Sequence, residues 1–156
     1  MMAVVSIMTV MTASFTMLVS AWSHWGTNRY QLINSERQAE QYMRKFISGY
    51  DNSRYYFEVN SNGTVLTAVS VADPNERHSM QYVDSGELEF ETTSGEGYCP
   101  LDHIYQVLFS VRTNERNQQL IGMRLYYELP DNGVGLRDGQ GLYSILVCTR
   151  ATGVHA

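Results

Sequence analysis

The chain has 156 residues, of which 44% are hydrophobic and 17% are charged, so it can bury the core of one ordinary domain. Its net charge of −5 disfavours nucleic acid as a partner, because an acidic surface repels the phosphate backbone. Lys45 is the only lysine, and the arginines are scattered without a basic patch. These properties favour a single small domain with no nucleic-acid partner.

An uncharged apolar stretch begins the chain. Residues 1–22, from Met1 to Trp22, carry no charged side chain, and the first charge is Arg29. About 20 apolar residues in a helix span the core of a bilayer, and the aromatic residues Trp22 and Trp25 are typical of its interface. The stretch therefore predicts a membrane-spanning helix. A cleaved signal peptide is the alternative, because residues 19–21 resemble a cleavage site, although no basic residue precedes the apolar run.

The helical pattern continues beyond this stretch. Apolar residues recur at helical spacing along one face, at Leu32, Ala39, Met43, Phe46 and Tyr50. Charged and polar residues occupy the other faces, and Ser48 and Gly49 are typical of a helix end. We therefore predict one long N-terminal helix over residues 1–50, hydrophobic in its first half and amphipathic in its second.

After Asn52 the sequence changes to short alternating runs separated by turns. Turn signals at residues 60–63 and 84–86 favour two hairpins. Residues 94–100 are interpreted as loop, and longer apolar runs at 105–112, 120–129 and 142–150 predict the last strands. The predicted fold class is α+β: a long N-terminal helix followed by an antiparallel β-sheet head of about six or seven strands, over residues 51–156.

This layout resembles the type IV pilin-like superfamily, and within it the minor pilins and the type II secretion pseudopilins. The stretch "MMAVVSIMTVM" is similar to the segment that follows the Gly-Phe-Thr-Leu-x-Glu prepilin motif, and "RQAEQYMRKF" is similar to the helix that enters the head. The prepilin motif itself, with its N-methylated phenylalanine, is absent from the sequence. We expect that the chain starts at an internal methionine just after that motif.

The resemblance implies a structural subunit that is not an enzyme and needs no cofactor. It implies a single-pass inner-membrane protein, held in the membrane by residues 1–22 with a periplasmic head. An inner-membrane assembly platform would then build it into a type IV pilus or a pseudopilus, beside other pilin or pseudopilin subunits. Small side chains would let neighbouring helices approach closely, at Ala3, Ala13, Ser14 and Ser20.

Two other classes of function stay open. One is an exported or membrane-anchored β-domain that acts as an adhesin or a ligand-binding module. The other is a membrane-anchored hydrolase that uses the neighbours Asp102 and His103 as a catalytic pair. A histidine in such a sequence is, however, more often an ordinary loop residue without a catalytic role. Loss of activity on His103→Ala with normal assembly would separate the enzyme from the structural subunit.

The sequence offers one candidate metal site and one candidate disulfide. Asp131, Asn132 and Asp138 lie in a Gly-rich loop and are candidate calcium ligands, because calcium takes oxygen ligands from flexible loops. Their spacing does not match an EF-hand. Cys99 and Cys148 could pair in an exported domain and would stay reduced in a cytosolic one, so their state stays open.

Overall fold

The computed structural model shows one long helix followed by eight strands in two antiparallel sheets. It describes residues 2–92, 95–129 and 140–150, and for residues 2–7, 21, 22, 24, 25 and 92 the backbone alone. The helix α1 covers Met2–Tyr50. The strands are β1 (Tyr55–Val59), β2 (Val65–Ser70), β3 (Arg77–Tyr82), β4 (Glu87–Thr92), β5 (Gly95–Pro100), β6 (Ile104–Thr113), β7 (Gln119–Glu128) and β8 (Gln140–Cys148).

Each strand pairs with its neighbour in sequence. The five-stranded sheet has the order β1-β2-β3-β4-β5, and the three-stranded sheet has the order β6-β7-β8. Both predicted hairpins are confirmed. In the first, the side chain of Asn60 accepts hydrogen bonds from the amides of Thr64 and Val65, and Gly63 has a φ of +74°. Glycine adopts such a backbone without steric cost, so this turn follows directly from its local sequence.

The predicted fold class is wrong, because the head is not one sheet of six or seven strands. The eight strands form two sheets, of five and three strands. The break lies between β5 and β6. There the amide of Asp102 donates to Ser35 Oγ on α1 at 2.8 Å, and His103 has a left-handed φ of +64°. This turn carries the chain away from β5, so that β6 pairs with β7 and begins a second sheet.

The predicted single-pass membrane anchor is also wrong. In the described part of the chain, no helix is long and apolar enough to cross a bilayer. The apolar run contains hydroxyl side chains, such as those of Thr12, Ser14 and Thr16, which lower its mean hydropathy. The predicted location, an inner-membrane protein with a periplasmic head, is therefore not supported.

The second half of α1 packs against both sheets. The predicted apolar stripe is buried, and Phe46 packs edge-on against Tyr50 and Phe57, with ring centroids 5.3 and 6.3 Å apart. Tyr42 of the same helix contacts Phe90 of β4, at 4.8 Å between centroids. Side chains from both sheets complete this core, among them Leu66, Met80, Leu88, Ile121, Met123 and Leu125. Burial of each such side chain contributes about 1.5–3 kcal/mol, so the helix holds the two sheets together.

A buried amide links the two sheets directly. Gln119, at the start of β7, accepts a 2.7 Å hydrogen bond from the Phe57 amide and donates one of 2.7 Å to the Phe57 carbonyl. Phe57 lies in β1, which is the edge strand of the five-stranded sheet. The side chain of Gln119 therefore takes the place of a neighbouring strand at this edge.

Candidate functional site

The first half of α1 presents an exposed apolar surface. Residues 8–20, here named the exposed helix segment, are all solvent-exposed, and none of the described residues covers them. Their large side chains include Met8, Phe15 and Met17, which are 67, 68 and 75% exposed. A helix of 49 residues is about 74 Å long, at 1.5 Å per residue. The helix therefore extends well beyond the head that packs on its second half.

Three hydroxyl groups of the exposed helix segment are already bonded within the helix. The hydroxyls of Thr12, Ser14 and Thr16 donate to the carbonyls of Met8, Val10 and Thr12, at 2.9, 3.0 and 2.9 Å. Such bonds to the carbonyl four residues earlier leave the hydroxyls little need for other partners. The surface that a neighbouring molecule would meet is therefore apolar in its chemistry, although it contains hydroxyl residues.

The small residues predicted to pack against neighbouring helices lie in or near this segment. Ala13, Ser14 and Ser20 are exposed within it. Ala3 lies earlier in α1, where the structure describes only the backbone. Their packing against other subunits stays a prediction.

The loop between β5 and β6 fastens the head to the middle of the helix. His103 Nε2 lies 2.9 Å from Gln31 Oε1, and the Asp102 amide bonds to Ser35 Oγ. The alternative of a catalytic pair would place the Asp102 carboxylate on the imidazole ring, whereas the described hydrogen bond of that ring is with the amide of Gln31. This geometry gives His103 a role in holding the helix.

A second contact at the end of the helix was not predicted from the sequence. The ring of Tyr50 stacks on His78 of β3, with centroids 4.8 Å apart. The two nitrogens of His78 lie 3.4 Å from carboxylate oxygens of Glu76 and Glu91. Hydrogen bonds from Tyr55 and His78 lower the pKa of Glu76. This cluster fixes the last turn of α1 on the five-stranded sheet.

The burial of Tyr50 predicts a loss of stability in alkali. Burial, with Tyr55, Glu91 and Glu76 nearby, raises the pKa of Tyr50 from 10.0 to about 12. Because the folded state holds this proton more tightly, the stabilisation is complete below pH 10 and is lost as the pH rises towards about 12. We expect chemical denaturation to show this decline in the wild type. The decline should be smaller in Tyr50→Phe, and an unchanged pH profile would contradict the assignment.

The cysteines do not form the disulfide that the sequence left open, because both are free. Cys99 of β5 is buried, with its sulfur 3.9 Å from Gln38 Oε1. Cys148 is exposed on β8 of the other sheet. One thiol therefore lies in the core and the other at the surface, on different sheets.

This difference predicts two rates of thiol modification. Burial raises the pKa of Cys99 from 9.0 to about 11, so its reactive thiolate is scarce at neutral pH. We expect a water-soluble alkylating reagent to modify Cys148 within the folded protein and Cys99 only after unfolding. Mass spectrometry with Cys148→Ser as the control measures both rates. Equally fast modification of the two thiols would contradict the burial of Cys99.

The candidate calcium ligands Asp131, Asn132 and Asp138 lie outside the described residues. Within residues 2–92, 95–129 and 140–150, no group of three or more acidic, histidine or cysteine side chains is arranged to hold a metal ion. The calcium site therefore stays a prediction from the sequence.

Together these features define a mostly β protein whose two sheets pack on the second half of a long helix and leave residues 8–20 exposed. Comparison of the chain with family models, with curated proteins and with solved structures finds no match. The resemblance to the type IV pilin-like superfamily therefore stays an inference from the sequence.

Proposed function

We propose that the chain is a structural subunit of a filament, of the minor pilin or pseudopilin kind. It would be built into a type IV pilus or a type II secretion pseudopilus beside other subunits with a similar helix. The observation that carries the proposal is the exposed helix segment, which projects beyond the head. The resemblance of "MMAVVSIMTVM" to the helix of this superfamily points to the same role.

The exposed helix segment needs a covering partner for a physical reason. Large exposed apolar patches are rare on monomeric proteins and mark sites of association. Full burial of a side chain such as Phe15 or Met17 gains about 1.5–3 kcal/mol. Large apolar side chains, such as Val10, Phe15 and Met17, occupy more than half of the segment's circumference, and the remaining side carries mainly hydroxyl residues such as Thr12 and Thr16. More than one neighbouring helix is therefore needed to cover the apolar part. A bundle of such helices at the centre of a filament meets that requirement.

The division of α1 into two halves fits the same role. Its second half is held in the head by the buried stripe and by hydrogen bonds at Gln31 and Ser35. Its first half makes no described contact with the sheets and is free to enter an assembly. Subunits could therefore associate through the first half without any change in the fold of the head.

Electron microscopy and sedimentation of the purified full chain test this proposal. We expect the wild type to form elongated particles of uniform width. Phe15→Glu should break these elongated particles up into small species, because assembly would bury the new carboxylate in an apolar contact.

Tyr98→Glu is the matched control, since Tyr98 is also an exposed aromatic residue but lies on β5 of the head. It should leave the particles unchanged. Assembly that survives Phe15→Glu, or a wild type that stays monomeric at all concentrations, would reject the filament role.

A further inference from the structure

The last strand, β8, has an open edge within the part of the chain that the structure describes. It ends the order β6-β7-β8, and no strand in the described part of the chain pairs with its outer side. Its sequence "QGLYSILVC" has no charged residue and no proline, and its register with β7 is continuous. Natural edge strands are usually protected by charges, prolines or bulges. This one has none of those protections, so it can accept another strand.

The geometry of the ladder identifies the backbone groups that face outward. The Thr149 amide donates to the Gln119 carbonyl at 2.9 Å, so this odd-numbered residue bonds towards β7. In an antiparallel pair, alternate residues direct both backbone groups to the same neighbour. The even-numbered residues of β8 therefore direct theirs outward: Gln140, Leu142, Ser144, Leu146 and Cys148. The side chains of these residues are exposed too, and Leu142 and Leu146 are 50 and 61% exposed.

We propose that β8 pairs with β8 of a second copy of this chain, antiparallel and centred on Ser144. Leu142 and Leu146 lie at equal distances on either side of Ser144. A two-fold axis at Ser144 therefore places Leu142 opposite Leu146 of the second copy, and Leu146 opposite Leu142 of the second copy. The outward backbone groups of the even-numbered residues meet as hydrogen-bonded pairs in this register. The two three-stranded sheets then form one continuous six-stranded sheet.

A second copy fits this edge better than an unrelated strand for two reasons. The symmetric spacing of the two exposed leucines makes the strand complementary to itself, so each leucine covers the other. A strand without charges also brings no like charges together across the axis. This pairing does not rest on the proposed filament role, because it uses the head and not the exposed helix segment.

Disulfide trapping in the full chain tests the register. The same axis places Gln140 opposite Cys148 of the second copy. Hydrogen-bonded antiparallel pairs have Cα atoms about 5.5 Å apart, which suits a disulfide. Within one chain, residues 140 and 148 are about 26 Å apart along the strand, so they cannot pair with each other. We expect Gln140→Cys to give a covalent dimer on mild oxidation. A reducing agent should convert this dimer back to separate chains.

Gln106→Cys is the matched control, since Gln106 is an exposed glutamine on β6 of the same sheet. It should cross-link much more slowly. Equal rates for the two variants, or no dimer from Gln140→Cys, would overturn the proposal. Either result would leave the filament test with Phe15→Glu unaffected.

A charge pair provides a second test that needs no disulfide. Leu146→Lys should weaken the dimer at least about tenfold, because charged side chains protect strand edges from pairing. Adding Leu142→Glu should restore it, since each glutamate then faces a lysine of the second copy. Failure of the double variant to recover would overturn this register, and a strand from another protein would not show the recovery.

Discussion

Replacing Phe46 with alanine is expected to destabilise the protein by about 3–5 kcal/mol, the range found for a phenylalanine removed from a core. Phe46 is fully buried on α1 and packs edge-on against Tyr50 and Phe57. Its removal leaves a cavity between the helix and β1. Because folded domains are stable by only about 5–15 kcal/mol, this loss is a large part of the total.

Phe15→Ala is the matched control for Phe46→Ala, because it removes the same side chain from the exposed half of the same helix. We expect it to leave the stability of the head unchanged within about 0.5 kcal/mol, as for surface substitutions. Urea denaturation of both variants, followed by circular dichroism, measures the difference. Equal destabilisation by the two substitutions would mean that the first half of α1 also packs against the head.

Replacing Gln119 with alanine is the second change with a large expected effect. It removes the two 2.7 Å hydrogen bonds that hold the backbone of Phe57. Each buried backbone group left without a partner costs about 1–3 kcal/mol, so we expect a loss of about 2–6 kcal/mol for the two groups. The amide of Phe57 should also lose its protection from hydrogen exchange, which marks the contact between the sheets specifically.

Gln106→Ala controls for the loss of a glutamine from the three-stranded sheet. Gln106 is exposed on β6, so its removal should change stability by less than about 0.5 kcal/mol. Denaturation and amide exchange of both variants show whether the side chain of Gln119 joins the two sheets. If Gln119→Ala unfolds with the wild-type midpoint and keeps Phe57 protected, then Gln119 does not join the sheets.

Local patterns in the sequence predicted the local structure well. The spacing of Leu32, Met43 and Phe46 identifies the buried face of the helix, because a helix repeats every 3.6 residues. The Asn-Gly turn at residues 60–63 likewise identifies the first hairpin. Both signals depend only on residues that are close in sequence.

The two-sheet arrangement could not be predicted in this way. The turn that separates the sheets depends on a hydrogen bond between Asp102 and Ser35, which are 67 residues apart. The sequence predicts a loop over residues 94–100, although residues 95–100 form β5. Gly97 weakens the strand signal there, but a Cβ at this position would overlap the ring of Phe90. The packing of Phe90 therefore requires a glycine at position 97, and this same glycine makes β5 hard to predict from the sequence.

The candidate site, too, could be predicted from the sequence only in part. The exposed helix segment is visible in the sequence as a long uncharged apolar run, although its exposure is known only from the fold. By contrast, the contact of Tyr50 with His78 joins residues from two elements without any shared motif. The link from Gln119 to Phe57 spans 62 residues and depends on the approach of the two sheets.

Hydrogen–deuterium exchange of the full chain at low and high protein concentration tests most directly whether the exposed helix segment is the assembly surface. Burial in a bundle should slow amide exchange in residues 8–20 as the concentration rises, because neighbouring helices exclude water and suppress fraying. Residues 32–50, which are packed in the head at every concentration, should exchange at an unchanged rate. Exchange in residues 8–20 that does not depend on concentration would contradict the role of this segment in assembly.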